Sequence, residues 1–336
     1  MNVTILNMVK QSAIRNAKLN KVLKLLGPFI GLLLVIILFS VVEPEKFFTL
    51  FNFLTVANQT VIVALAAMGM TYIIISGGID LSVGSVIALS TVVTALLVDK
   101  GMNPFFAALA GVLSGLICGM VSGLFIGRFG IIPFIVTLGM MLVVRGAAKG
   151  IGREQKIDVD PQRLAWLDEL LASLPRERSW MLVPPGVWML VLLAIAMAAL
   201  LRYTRLGRHT FAIGSNEQTA RLCGVPVERV KIFVYTICAG FGGLAGLMQF
   251  SRLTVGDPTV AVGLELNVIA AVVIGGGSLN GGEGSILGTL VGALIMTVIA
   301  SGCTQMGLPN WVQEIITGAV IVVAVALDRL RHRRTA

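Results

Sequence analysis

The chain has 336 residues, of which 56% are hydrophobic and only 13% are charged. A soluble domain has about 45–50% apolar and about 25% charged residues, so the composition excludes a soluble globular protein. The formal net charge of +9 does not indicate a nucleic-acid partner, because the basic residues are concentrated in the segments 1–27, 202–231 and 329–336. Basic segments of this kind mark the cytoplasmic side of a membrane protein.

The apolar stretches are long and continuous and do not alternate as the strands of a membrane barrel do. We therefore predict an all-α integral membrane protein surrounded by membrane lipid. At about 20 apolar residues per crossing, the sequence predicts ten transmembrane helices. Their ranges are 28–42, 53–76, 79–98, 104–127, 131–148, 184–201, 231–250, 266–282, 285–302 and 310–327. Glycines interrupt the second, third, eighth and ninth of these, so eight to ten crossings fit the sequence.

Charge and hydropathy divide the chain into a basic segment 1–27, a single transmembrane domain 28–328 and a basic tail 329–336. Loop 149–183 has six basic and six acidic residues, the balance expected outside the cell, whereas the basic loop 202–230 is expected in the cytoplasm. An even number of crossings places both termini in the cytoplasm.

The first glycine-interrupted segment is "IISGGIDLSVGS" at 74–85, and it contains a carboxylate, Asp80. A charge at mid-bilayer costs about 2.5–3.5 kcal/mol on insertion scales, so it faces a cavity, the bundle interior or the interface. One interpretation is that Asp80, Ser82 and Ser85 line a path for a polar solute beside the helix break at Gly77 and Gly78. The other is that Asp80 caps a helix beginning at Leu81.

A shift of 200 residues lays this segment over "IGGGSLNGGEGS" at 274–285. Transporters are commonly built from internal repeats with interrupted helices at corresponding positions. The shift places Gly277 over Gly77 and Asn280 over Asp80, and it adds Gly276, Gly277 and Asn280 to the candidate path. Chance similarity between two glycine-rich turns is the alternative.

Loop 149–183 contains leucines at helical spacing after Pro161: Leu164, Leu167, Leu170, Leu171 and Leu174. This pattern predicts a short amphipathic helix on the outer surface. It serves either as a docking surface for an external protein or as a loop folded back on the bundle.

Loop 202–230 contains a predicted short helix of residues 217–222. Asn216 is its expected N-cap, Gly224 its expected end, and Pro226 prevents its continuation. No set of residues for catalysis or for metal binding accompanies it, since there are two histidines, no HExxH and no GxxxxGK[ST]. We therefore predict that the chain is not an enzyme and binds no cofactor.

Four motifs identify a family that the chain resembles. They are "GMTYIIISGGIDLSVGSVIALS", "PFIVTLGMMLVVRG", "GRHTFAIGSNEQTARLCGVPVERVKI" and "ELNVIAAVVIGGGSLNGGEGSILGTLVGALI". In this order they closely resemble the membrane permease subunits of ribose-type ABC importers, over about residues 28–328.

The resemblance implies a transport subunit in a bacterial inner membrane that translocates a monosaccharide. It also implies a separate ABC ATPase, which uses ATP and Mg²⁺, a periplasmic sugar-binding protein, and a second permease copy that forms a homodimer. The family's ATPase-coupling pattern, close to E-A-A-R-L-S-G, falls on residues 218–224, with the Glu, the first Ala and the Ser replaced. The implied coupling residues are Asn216, Glu217, Gln218, Thr219, Ala220, Arg221 and Gly224. Glu283 stands where a basic residue is usual.

Two other functions fit the sequence. A stand-alone ion-coupled transporter or channel would use an intramembrane carboxylate such as Asp80 as its ion site. An ABC permease for a nucleoside or another non-sugar solute would share the architecture.

Overall fold

The computed structural model describes residues 26–171 and 181–333. Most of the basic segment 1–27, Leu174 and the last three residues of the tail lie outside this part of the chain. In chain order the helices are α1 (Leu26–Val42), α2 (Pro44–Phe47), α3 (Leu50–Ile75), α4 (Val83–Asp99), α5 (Pro104–Gly127), α6 (Pro133–Ile151), α7 (Pro161–Leu164), α8 (Pro185–Tyr203), α9 (Arg205–Ser215), α10 (Glu217–Leu222), α11 (Val227–Leu253), α12 (Leu264–Ile274), α13 (Ile286–Gln305) and α14 (Asn310–Arg333).

Apolar helices occupy each of the ten predicted ranges, which confirms the all-α membrane fold. Within the described residues, six helices are long and apolar enough to cross a membrane: α3, α5, α6, α8, α11 and α13. The described apolar parts of α1, α4, α12 and α14 are shorter.

The predicted boundaries of the glycine-interrupted helices are wrong in two places. The third range was expected to begin at residue 79, but α4 begins at Val83. The eighth was expected to reach residue 282, but α12 ends at Ile274. Eleven residues of α12 extend about 16 Å at 1.5 Å per residue, about half of a bilayer core. The apolar run therefore contains a short helix followed by an irregular loop.

Helix α11 lies at the centre of the bundle, packed against α3, α4 and α5. Small residues allow this close approach. A Cβ added at Gly119 of α5 would meet the carbonyl oxygen of Tyr235, and one at Gly69 of α3 would meet the backbone of Cys238. Such contacts provide the van der Waals packing that holds helices together in lipid.

Hydrogen bonds and close contacts define how the neighbouring helices are aligned. Thr60 and Thr71 of α3 share hydrogen bonds of 2.6 and 2.8 Å with Thr297 and Thr289 of α13. Rising residue numbers in α3 pair with falling numbers in α13, so these two helices are antiparallel. A Cβ at Gly292 would meet the carbonyl of Ala271, which aligns α13 with α12.

The loop between α6 and α8 contains no continuous amphipathic helix in its described part. It forms α7, a turn of 3-10 helix at Asp168–Leu170 and a strand β1 (Ile157–Asp158), which pairs antiparallel with β2 (Val255–Gly256). Ala165 has φ of 51°, a left-handed conformation that interrupts the predicted helix. The loop is folded back on the bundle, because three of its leucines are buried: Leu164, Leu167 and Leu171.

The two ends of α11 identify the two ends of the bundle. Helix α10 precedes its first residue and strand β2 follows its last. We call these the α10 end and the sheet end.

Candidate functional site

The first helix break lies between α3 and α4. Gly77 has φ of 82°, a conformation that glycine adopts without strain. Its amide donates to the carbonyl of Ile74 at 3.0 Å, and the amide of Gly78 donates to Ile73 at 2.9 Å. These bonds satisfy the last carbonyls of α3 as a Schellman-type ending does.

Asp80 lies in the connection between α3 and α4 and has no exposed surface. Its Oδ1 accepts hydrogen bonds from the backbone amide of Ser82 at 2.7 Å and from the hydroxyl of Ser82 at 2.6 Å. Its Oδ2 is buried without a hydrogen-bond partner in the described part of the chain. Asp80 therefore binds Ser82, the residue before α4, and does not cap a helix beginning at Leu81, because α4 begins at Val83.

Ser85 and Tyr235 surround the same break. Both hydroxyls are buried and have no hydrogen-bond partner among the described residues. A Cβ added at Gly78 would collide with the Tyr235 hydroxyl, so a larger residue at this position would have to displace the buried Tyr235 side chain. The first break therefore brings together Gly77, Gly78, Asp80, Ser82 and Ser85, as expected from their spacing.

The second break lies between α12 and α13 and ends its helix in the same way. Gly276 has φ of 93°. Its amide donates to Val273 at 3.0 Å, and that of Gly277 donates to Val272 at 2.8 Å. By geometry Gly276, and not Gly277, corresponds to Gly77.

Beyond their first turns the two breaks differ. Residues 275–285 form a longer connection than residues 76–82. Asn280 is exposed, and its side chain makes no hydrogen bond to a described residue, whereas Asp80 is buried. The alignment of Asn280 with Asp80 thus holds in the sequence and not in the structure.

The two breaks touch each other and α9. The amide of Gly282 donates to the carbonyl of Ile75 at 2.8 Å. Gly214 of α9 packs on both residues, so that an added Cβ would collide with the Ile75 carbonyl and the Gly282 amide. Gly214 thus contacts both the last residue of α3 and the connection between α12 and α13.

Helix α10 has the bounds, cap and ending that the sequence predicts. Asn216 Oδ1 accepts a hydrogen bond from the amide of Thr219 at 2.8 Å. Gly224 has φ of 81°, and its amide donates to the carbonyl of Arg221 at 3.1 Å. Pro226 is the N-cap residue of α11, so the chain turns directly from one helix into the next.

Ion pairs hold α10 against α11. Lys231 Nζ lies 2.7 Å from Glu217 Oε2, and Arg221 lies 3.6 Å from Glu217 and 3.7 Å from Glu228. Arg128, just after α5, lies 3.9 Å from Glu228. Each exposed pair contributes little alone, but a network over three helices orients α10.

The outward surface of α10 is open to a partner. Leu222 is 89% exposed, and it lines a shallow groove of about 520 Å³ with Glu217, Gln218 and Arg221. Of the predicted coupling residues, Ala220 is buried and holds the helix in place. The groove thus presents one apolar side chain, two charged side chains and one amide on the surface of α10.

At the sheet end, a partly buried arginine anchors a loop. Arg145 Nη1 of α6 donates to the carbonyls of Pro258 at 3.0 Å and Val260 at 2.7 Å. These residues belong to the loop between β2 and α12. An arginine inside a predicted apolar helix was the available signal, but its carbonyl partners are distant in sequence.

Asp257 fixes the same loop. Its Oδ1 accepts from the Thr259 amide at 2.8 Å and hydroxyl at 2.6 Å, and its Oδ2 lies 3.2 Å from Lys156 Nζ. Burial by itself raises the pKa of the Asp257 carboxyl, but the hydrogen bonds from Thr259 and the charge of Lys156 outweigh burial. The net effect is a pKa below the usual value.

His, Cys, Asp and Glu side chains form no metal-binding cluster within residues 26–171 and 181–333. The described residues bring together an exposed surface on α10 and a contact of α9 with two helix breaks.

Comparison with known proteins identifies the family. The family model for the branched-chain amino acid transport system / permease component matches residues 52–325. The ribose import permease protein RbsC of Bacillus subtilis (strain 168) is 38% identical over 92% of this chain and 94% of its own. The D-allose transport system permease protein AlsC of Escherichia coli (strain K12) is 33% identical over 90% and 91%.

The L-arabinose ABC transporter permease protein AraH of Azospirillum brasilense is 33% identical over 89% of this chain and 88% of its own. No solved structure matches the chain. These relatives confirm the resemblance seen in the four motifs. The chain belongs to the branched-chain amino acid transport system / permease component family.

Proposed function

We propose that the chain is the membrane permease subunit of an ATP-driven importer for a monosaccharide in a bacterial inner membrane. The observation that carries this proposal is the match with permeases for ribose, arabinose and allose over about nine-tenths of their lengths. Relatives that are 33–38% identical share an architecture, and three of them are named for closely related sugars.

In this proposal the energy comes from a partner. The chain has no GxxxxGK[ST] motif, so ATP and Mg²⁺ are used by a separate ABC ATPase that docks on α10. Leu222 supplies an apolar contact, and Glu217 and Arg221 supply charges around it. The ion pairs attach α10 to α11, so that motion of the ATPase is transmitted to the bundle.

Motion of α10 then reaches the helix breaks through α9. Gly214 lies against both Ile75 and Gly282. Ile75 is the last residue of α3, and Gly282 lies in the connection between α12 and α13. Displacing α9 shifts both breaks together, and the path opens alternately to each side of the membrane. Asp80, held by Ser82, preserves the geometry of the first break during this movement.

The α10 end faces the cytoplasm with both chain termini, because the basic segments lie there. The sheet end faces the periplasm, where a sugar-binding protein delivers the substrate. A second copy of the permease completes the path, as a homodimer. Specificity resides mainly in the binding protein, so the permease itself holds the sugar weakly.

Uptake by the reconstituted complex tests this function. Proteoliposomes contain the permease with its ATPase and binding protein, and they are offered radiolabelled D-ribose, L-arabinose, D-allose, adenosine or L-leucine. We expect uptake of at least one sugar that requires ATP, the ATPase and the binding protein. Sugar uptake by the permease alone, driven by a proton or sodium gradient, would contradict the proposal. ATP-dependent uptake of adenosine or leucine without any sugar would keep the importer class and change the substrate.

A further inference from the structure

Four polar side chains form one layer across the bundle. They belong to four different helices: Gln59 of α3, Gln249 of α11, Asn267 of α12 and Thr297 of α13. The helix alignments bring them to one level. Thr60 bonds to Thr297, which places Gln59 beside α13 at this height.

The same alignments bring α11 and α12 into the layer. Gly69 of α3 packs on Cys238 of α11, and the two helices run antiparallel. A residue about ten positions before Gly69 therefore lies at the level of a residue about eleven positions after Cys238. Gln59 thus faces Gln249. The contact between Ala271 and Gly292 likewise places Asn267 opposite Thr297.

A cavity of about 150 Å³ lies between these four side chains. Arg252, one turn from Gln249 towards the sheet end, stands at its rim and is exposed. The walls are otherwise apolar or small: Ile62, Val63, Leu264, Met296 and Ala300. At about 30 Å³ per water in the liquid, the cavity has the volume of about five waters, and it is far smaller than a site for a drug-sized ligand.

The protein leaves the three amides around the cavity without hydrogen bonds from described side chains or backbone. Asn267 Oδ1 is buried without a hydrogen-bond partner in the described part of the chain. Neither Gln59 nor Gln249 makes a side-chain hydrogen bond to a described residue. A buried polar group without a partner is unfavourable, and more so in surroundings as apolar as a membrane bundle. The buried Asn267 oxygen, together with the two unpaired and partly buried amides of Gln59 and Gln249 on the same cavity, indicates a polar ligand.

The chemistry of the lining selects the ligand class. Side-chain amides donate and accept hydrogen bonds without carrying charge, which suits a neutral solute with several hydroxyl groups. The lining contains one guanidinium and no carboxylate, so nothing in it balances a cation or the ammonium group of an amino acid. Thr297 is a wall residue, because its hydroxyl is already bonded to Thr60, Ala293 and Leu294.

We propose that this cavity is a transit site for a monosaccharide inside the permease, with the amides of Gln59, Gln249 and Asn267 as the groups that bind its hydroxyls. The assignment rests on the proposed function. It places the sugar at the sheet-end half of α3 and α11, apart from Asp80 and the helix breaks. Arg252 at the rim adds a donor where the sugar enters.

Substitutions in the reconstituted complex test the site. Asn267→Leu and Gln249→Leu remove the amides at similar volume, and we expect each to lower ATP-driven uptake of radiolabelled D-ribose, L-arabinose or D-allose at least 10-fold. The matched control is Leu266→Ala, the neighbour of Asn267, whose side chain is 49% exposed. It should keep at least half of the uptake.

A second pair of variants distinguishes a blocked cavity from a misfolded protein. Ala300→Trp fills the cavity from its open side and removes no native hydrogen bond, and Leu192→Trp places the same side chain on the exposed face of α8. We expect uptake to be lost with Ala300→Trp and retained with Leu192→Trp, with ATP hydrolysis without sugar unchanged in both.

Sugar uptake within twofold of the wild type for Asn267→Leu and Ala300→Trp would overturn the site and leave the proposed function intact. A wild-type complex that takes up none of the three sugars would overturn both.

Discussion

The backbone amide of Gly282 donates a 2.8 Å hydrogen bond to the carbonyl oxygen of Ile75, which ties the two interrupted segments of the chain to each other. The carbonyl belongs to the last residue of α3, and helix-terminal carbonyls have no partner within their own helix. The second break therefore completes the first. Gly214 of α9 packs on the same bond, which connects it to the neighbouring α10.

Gly214→Ala should weaken this three-way contact. The added methyl group would collide with the Ile75 carbonyl and the Gly282 amide, and neither can move without breaking their bond. Overpacking of this kind costs about 1–3 kcal/mol. We expect a lower melting temperature in detergent and a loss of most ATP-driven uptake, both measured on the purified complex.

The control for this variant is Gly139→Ala. Gly139 lies within α6 and has nothing within 4 Å of the added Cβ. Alanine there should leave uptake unchanged and stabilise the helix slightly. If Gly214→Ala behaves as Gly139→Ala does, α9 is not a rigid link to the breaks.

Gly224→Val tests α10 as the coupling element. Gly224 has φ of 81° and open space around it, so valine adds no collision and acts through backbone strain of about 1–3 kcal/mol. The strain displaces the end of α10 relative to α11. We expect normal membrane insertion and loss of transport, with reduced copurification of the ATPase as a second readout.

Gly130→Val is a matched control, since Gly130 also has a left-handed φ, of 67°, and open space. It lies in the connection between α5 and α6. Equal losses of uptake in the two variants would show that strain alone, and not the position at α10, is responsible.

Asp80 offers a test of its two interpretations. Asp80→Asn keeps an acceptor for the two bonds from Ser82 and removes the charge, whereas Asp80→Leu removes both bonds. If Asp80 holds the break, Asp80→Asn should retain stability and uptake, and Asp80→Leu should lose at least the 0.5–2 kcal/mol typical of a cap. Thermal unfolding and uptake measure the two effects.

Asp160 provides the comparison for Asp80. Its Oδ1 accepts from the Gln162 amide at 2.9 Å in an exposed turn before α7, where water replaces a lost bond. Asp160→Leu should therefore cost less than Asp80→Leu. A loss of uptake in Asp80→Asn at unchanged stability would instead assign the charge to the solute path.

These sites also show which parts of the molecule are predictable. Helix α10 could be predicted because its signals, Asn216 and Gly224, are local and chemically specific. The end of α12 could not, because the apolar run continues through Gly275 and hydropathy does not distinguish a helix from a loop buried in the bundle. The amide layer was missed for a different reason. Gln59, Gln249 and Asn267 are isolated in sequence, and only the alignment of packed helices brings them together.

Asp257 predicts how the stability of the sheet end depends on pH. Because Thr259 and Lys156 hold the pKa of this carboxyl below its usual value of about 3.9, the folded state binds its proton less readily than the unfolded chain does. The resulting stability is present above the unfolded pKa and is lost as the pH falls from about 4 towards the lowered folded value.

Removing the carboxylate should remove this pH dependence. Asp257→Asn retains an oxygen for the Thr259 bonds and loses the pairing with Lys156, so we expect lower stability than the wild type at pH 7 and a smaller difference at pH 3. Unfolding curves of the detergent-solubilised protein at both pH values measure the change. Asp158→Asn is the control, since Asp158 lies in the paired strand β1 and makes no ion pair with a described residue. If the wild type and Asp257→Asn lose stability in parallel below pH 4, other carboxylates are responsible for the acid sensitivity.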